Sequence, residues 1–183
     1  MRLISSLFTI PAVLIAASLM ASCGESDSGV PASSVSAATS PTEVPWLLTA
    51  EPADEAQSVT EAKASAKEGD VVIIRARVGG RAEPMSEGSP VFTVMDLAVP
   101  SCADMEEDHC ATPWDYCCET PESIKANAAT VQVVNADGTA STTSPMAGGV
   151  HPLDEVIIVG AVGPRPTADV LTIRATGVYR VGG

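Results

Sequence analysis

The sequence predicts an all-β domain: a small five-stranded barrel with a short N-terminal helix and a cysteine-rich loop insert between its second and third strands. Three observations lead there. Five apolar segments between residues 71 and 181 have strand lengths and are bounded by turn residues, with no β-α-β rhythm between them. Aromatic residues make up only 3% of the chain while Val, Ile and Ala are plentiful, which suits a small core packed from β-branched side chains. Four of the five cysteines fall between Ser101 and Glu119, a clustering that an ordinary β-domain does not need.

The chain begins with a segment of another kind. Residues 1–22 carry one positive charge at Arg2, an apolar run from Leu3 to Met20, and then the small residues Ala21 and Ser22, the pattern of a secretory signal peptide. Pro11 and the lack of charged residues directly after Met20 oppose a permanent membrane span. The junction Leu19-Met20-Ala21-Ser22-Cys23 resembles a bacterial lipobox, with Met20 where that pattern prefers Leu. The resemblance implies a lipoprotein acylated at Cys23, held extracytoplasmically at the cell membrane or the outer membrane. More than one acyl chain would then supply a stable lipid anchor. The alternative is an ordinary secreted protein cleaved near Ala21, with Cys23 a free or pairing thiol.

Residues 23–57 are assigned to a flexible tether, because Gly24 to Pro45 is rich in Ser, Ala, Pro and Gly and cannot bury enough apolar surface to offset its ordering entropy. Within it, Pro45-Trp46-Leu47-Leu48 is expected to dock on the open end of the barrel, a partner-binding motif being the alternative.

The domain is assigned to residues 58–183. Ser58-Val59-Thr60-Glu61 fits a capping box and predicts a helix to about Lys67. The predicted strands are 71–78, 90–97, 130–135, 155–162 and 170–181. In the first, Arg75 and Arg77 face outward against Ala76 and Val78, and Gly79-Gly80 permits a sharp bend after it. In the second, Phe92 and Val94 share a face. In the last, Leu171, Ile173, Ala175, Tyr179 and Val181 are expected to face opposite Thr172, Arg174, Thr176 and Arg180. Thr120 and Pro121 suit the N-cap and first position of a helix through Ser123 to Ala126.

The strand order, with the runs GDVVIIRARVGG, DEVIIVGAVG and VLTIRATGVY, resembles an OB-fold, a partly open five-stranded barrel. Gly79-Gly80 together with Thr112-Pro113-Trp114-Asp115-Tyr116-Cys117-Cys118-Glu119 also resembles exported planctomycete proteins that carry a PTPWDYCCE-like segment. That resemblance implies no activity.

The insert, residues 101–122, has competing readings. Cys102, Cys110, Cys117 and Cys118 in an oxidising envelope predict two disulfides. The alternative is a metal site, copper or zinc, built from Cys110, Cys117, Cys118 and His109, although intervals of seven, six and zero residues do not match paired zinc knuckles. Seven acids and no Lys or Arg between Asp104 and Glu122 oppose a reactive thiolate, and no CxxC is present. Neither His109 nor His151 stands in a nucleophile context, so no enzyme is expected. Trp114 and Tyr116 are candidates for a recognition surface, the other reading being that Trp114 covers the disulfides.

The formal charge of -13, made more negative when Arg2 leaves with the signal, opposes nucleic-acid binding even though the fold resemblance would allow it. The expected function is therefore a non-catalytic, lipid-anchored binding module of the cell envelope. Its partner would be an envelope protein or component, and no cofactor is required. A metal-handling or redox module is the second reading, and oligonucleotide binding the third.

Overall fold

The computed structural model describes residues 44–105 and 110–183. The signal segment, Cys23, the first part of the tether and His109 lie outside the described residues.

Helix α1, Val59–Ser65, opens on the capping box read from the sequence: the Ser58 hydroxyl accepts from the Glu61 amide at 3.2 Å, and the Ser58 amide donates to the Glu61 carboxylate at 2.8 Å. It ends at Ser65, short of Lys67. Val59 and Ala62 bury one face of the helix in the core. Its C-terminal carbonyls are capped from outside, where the Arg165 guanidinium donates to Lys63 O at 2.9 Å and to Ala66 O.

Strands β1 (Val71–Val78), β2 (Val91–Met95), β3 (Ala128–Val133), β4 (Glu155–Val162) and β5 (Thr172–Arg180) close into a barrel in the order β1-β2-β3-β5-β4. A second helix, α2 (Pro121–Asn127), leads directly into β3. Thr120 caps α2, its hydroxyl accepting from the Ser123 amide at 3.1 Å. The barrel is mixed: β3 and β5 run parallel, and the other neighbouring pairs antiparallel.

A partly open barrel was the expectation, and the barrel closes instead through a narrow seam. The β1–β2 register holds only Arg77 opposite Met95 and Val78 opposite Val94, while β1 and β4 pair from Val71 opposite Ala161 to Arg77 opposite Glu155. Ile74, Phe92, Val94, Val131, Ile158 and Ile173 fill the interior.

The sequence phase fails at one point in β5. Val159 pairs with Gly177 but Gly160 pairs with Ala175, so Thr176 is an extra residue, a β-bulge. Beyond it the alternation inverts: Val178 is buried and Tyr179 is half-buried, where unbroken alternation would have put Tyr179 inside. Gly160 makes the bulge sterically feasible, since a Cβ there would sit 2.4 Å from Arg174 O.

Part of the stretch that composition assigned to the tether lies on the barrel. Leu48 N donates to Val178 O at 2.9 Å and Val178 N to Trp46 O at 2.8 Å, and Trp46 belongs to the core cluster. Gln57 bridges to Ile74 in β1.

Candidate metal centre

The insert is seated on the two glycines that end β1. Gly80 N donates to Trp114 O at 2.9 Å, and Gly80 has φ +93°. A Cβ on Gly79 would meet Trp114 O at 2.6 Å and the Tyr116 ring at 2.9 Å, so only glycine allows this approach. The Trp114 indole donates to Ala82 O at 3.0 Å. Tyr116 adopts φ +60°, a left-handed conformation, and its side chain is 1% exposed in a small cluster with Met95 and Val99, against which Ile124 and Ala128 pack. Burial raises the Tyr116 phenol pKa; the Arg77 guanidinium nearby acts in the opposite direction.

The other end of the insert is held by charge. The Arg77 guanidinium pairs with Asp104, whose carboxylate also accepts from the amide and hydroxyl of Ser101, both at 2.8 Å. Burial alone would raise the Asp104 pKa, and the bonds from Ser101 and Arg77 hold it below the usual carboxylate value. Cys102 N donates to Pro113 O at 3.1 Å, joining the 3-10 turn Cys102–Asp104 to the Trp114 segment.

These contacts bring sulphur to sulphur. The Cys110 and Cys117 sulphurs are 3.5 Å apart, and those of Cys102 and Cys117 3.7 Å. One oxygen of Asp115 lies 4.0 Å from the Cys110 sulphur and accepts from the Cys117 amide at 2.9 Å; its other oxygen accepts from the Thr112 hydroxyl at 2.7 Å. Donor atoms of Cys102, Cys110, Asp115 and Cys117 all lie within 4.8 Å of one another. The Thr112 hydroxyl, against a smaller opposing effect of burial, keeps the Asp115 pKa below its usual value. The Cys117 thiol is pushed far up, first by Cys110 and Cys102, then by burial, Cys118 and Asp115. Negative charge on one sulphur of such a group disfavours it on the next unless a cation is shared.

The sequence-derived site residues fare unevenly. No disulfide joins the described cysteines, and the separations of 3.5 and 3.7 Å far exceed a sulphur–sulphur bond of about 2.05 Å. Cys102 takes a place in the four-donor group where the sequence reading had Cys118, because the 3-10 turn folds it back onto the Trp114 segment. Cys118 is exposed at the edge of the group, close enough to influence Cys117. Tyr116 is packed inward and Trp114 is half-buried and hydrogen-bonded, so the pair does not form an open recognition surface. His151 is exposed. Asp115 was missed; its signal was a carboxylate two residues before Cys117, with Thr112 three residues before it to orient it.

No family model and no curated protein matches the chain. Among solved structures it is similar to the aspartyl tRNA synthetase from Entamoeba histolytica, with 13% identity and a TM-score of 0.36. The match covers 76% of this chain and 27% of that one, so the chain spans about a quarter of its length. A likeness at that score carries no argument about activity.

Proposed function

We propose that this chain is a lipid-anchored, non-catalytic binding module of the cell envelope, built on a barrel of the OB-fold type, and that the ligand of its cysteine insert is one thiophilic metal ion. The metal reading is carried by a single observation, the four donors of Cys102, Cys110, Asp115 and Cys117 within 4.8 Å of one another. A tetrahedral zinc ion with Zn–S bonds of about 2.3 Å has sulphur–sulphur edges of about 3.8 Å, close to the two separations given above. Three thiolates and a carboxylate suit zinc, a borderline ion, better than copper(I), which favours sulphur alone.

The barrel order β1-β2-β3-β5-β4, with β3 parallel to β5, supports the OB-fold type, and its long β2-to-β3 connection carries the insert. Anchoring rests on the lipobox-like junction before Cys23.

Elemental analysis of the dialysed mature protein tests the metal reading. One equivalent of zinc, lost in Cys117→Ser, is the expected result. A metal-free protein whose Cys102, Cys110, Cys117 and Cys118 resist alkylation without reductant would replace it with two disulfides. For the anchor, Cys23→Ser should move the protein from the membrane fraction to the soluble or unprocessed pool, and unchanged partition would refute acylation there.

A further inference from the structure

We propose that Cys117 is a modification site: a hydroperoxide oxidises it, a Cys110–Cys117 disulfide forms, and the ion held by the insert is released. This rests on the metal reading above. Four donors close around the ion in the manner of a structural zinc site, so no position on the metal is left for a substrate. The reactive point is a sulphur instead. Metal binding keeps a cysteine ligand as thiolate, the form that oxidants attack, even in a loop whose seven acids disfavour a bare thiolate. Of the three cysteines in the donor set, Cys102 is 2% exposed, Cys110 is half-buried and Cys117 is exposed. An oxidant arriving from solvent therefore meets Cys117 first.

The partner for the oxidised sulphur is already in place. The Cys110 sulphur is 3.5 Å from that of Cys117, and closing to a bond of about 2.05 Å asks for about 1.5 Å of side-chain movement. Cys102, at 3.7 Å, is held back by its backbone bond to Pro113 and by the Arg77–Asp104 pair at the other end of its 3-10 turn. Charge selects the oxidant: seven acids without a Lys or Arg between Asp104 and Glu122 repel anionic disulfides such as oxidised glutathione, and a small neutral hydroperoxide is not repelled. With hydrogen peroxide, the Cys117 thiolate attacks one oxygen, the O–O bond breaks, hydroxide leaves, and Cys117 carries a sulfenic acid. The Cys110 thiolate then attacks that sulphur, the S–S bond forms and a second hydroxide leaves. The hydroxides take two protons from the solvent, so two thiolates and one peroxide give one disulfide and two waters. The two electrons come from the sulphurs, and the ion stays divalent. Cys102 and Asp115 remain, too few donors for a four-coordinate ion, and it departs as Cys102 regains a proton and the Asp115 carboxylate keeps its bonds from Thr112 and the Cys117 amide.

The test adds hydrogen peroxide to the reduced, zinc-loaded mature protein, follows zinc with the chromophoric chelator 4-(2-pyridylazo)resorcinol, and maps disulfides after alkylation in denaturant. The expected result is one zinc released per chain, with Cys110 joined to Cys117 and with Cys102 and Cys118 alkylated; reductant and added zinc should restore the loaded state. Oxidised glutathione at the same concentration should release zinc at least about tenfold more slowly at low salt, with the gap narrowing as salt is raised. Cys110→His keeps a zinc ligand but removes the sulphur that closes the disulfide, and should yield the oxidised Cys117 as a dimedone adduct. Zinc retained through peroxide treatment, or a disulfide between any other pair, would overturn the oxidation role while leaving the metal reading intact, whether or not Cys110→His loads zinc. A loaded Cys110→His with Cys117 unmodified would overturn Cys117 as the point of attack. Equal or faster release by oxidised glutathione at low salt would overturn the assignment of the oxidant. A reduced wild-type protein that takes up no zinc would remove the metal reading, and the oxidation role with it.

Discussion

In the barrel, Ile74, Ile158 and Ile173 are fully buried and each strand has a partner on both sides, whereas the insert between Ser101 and Thr120 has one 3-10 turn as its regular structure among the described residues. The barrel's core draws on all five strands, α1 and Trp46; the insert contributes Tyr116 to a separate small cluster with Met95 of β2 and Val99, with Ile124 and Ala128 against it. A cluster that small cannot offset the ordering of a loop of this length. The insert is instead held to the barrel by the Gly80–Trp114 backbone bond and the Arg77–Asp104 pair, and to itself by the Cys102–Pro113 bond. A fold built on apolar burial tolerates loss of its ligand, and a loop built on polar contacts does not.

That contrast is open to attack from the barrel side first. Ile173→Ala should cost roughly 2 to 5 kcal/mol in urea unfolding of the domain, because it empties a fully buried site. Thr172→Ala next to it should cost well under that. Equal effects would mean that burial on the inner face does not carry the barrel.

Gly79→Ala strikes the seam between the two regions. Its new methyl would meet the Trp114 carbonyl at 2.6 Å, so the insert must shift, at a cost of about 1 to 3 kcal/mol. Hydrogen exchange should quicken in residues 110–118 with β4 and β5 unchanged. If β4 and β5 quicken equally, the insert is part of the barrel's cooperative unit.

Asp96, buried at the end of β2, joins the barrel to α1: its carboxylate accepts from the Thr60 amide at 2.9 Å, the Thr60 hydroxyl at 2.8 Å and the Ala98 amide at 3.0 Å. Burial alone would raise its pKa, yet the bonds from Ala98 and Thr60 bring it below the ordinary carboxylate value. A depressed folded-state pKa stabilises the fold above the unfolded value of about 3.9, and that contribution is lost as pH falls through the folded value. Asp96→Asn should therefore destabilise by about 1 to 3 kcal/mol at neutral pH and flatten the acid limb of a pH–stability curve. An unchanged acid limb would remove Asp96 from the account.

The smallest effect expected is on the barrel, when the ion proposed for the insert is stripped. Chelator treatment should raise hydrogen exchange in residues 110–118 while changing the barrel's unfolding free energy in urea by no more than about 0.5 kcal/mol. A collapse of both together would break the comparison.

The local signals in the sequence carried through where one neighbourhood decides the structure. Ser58 to Glu61 gives the capping box, Thr120-Pro121 starts α2, and the alternation in β1 turns Arg75 and Arg77 outward, because caps and strand faces depend on residues a few positions apart. Alternation misled at Thr176, where the extra residue is visible only against its partner strand β4. Gly79-Gly80 and the Trp114 to Cys118 segment were each conspicuous, but nothing in their spacing said that one is the seat of the other.

From the sequence alone came the all-β class, the helix caps, the strand faces up to the bulge, and the concentration of thiols and acids in one insert; these follow from side-chain chemistry and short-range periodicity. The tertiary structure decided closure of the barrel and the choice of Cys102 and Asp115 over Cys118 in the four-donor group. Closure depends on pairing between strands far apart in the chain, and the donor group on the close approach that two glycines without a Cβ and the left-handed backbone of Tyr116 allow; distance in space is what a linear spacing does not encode.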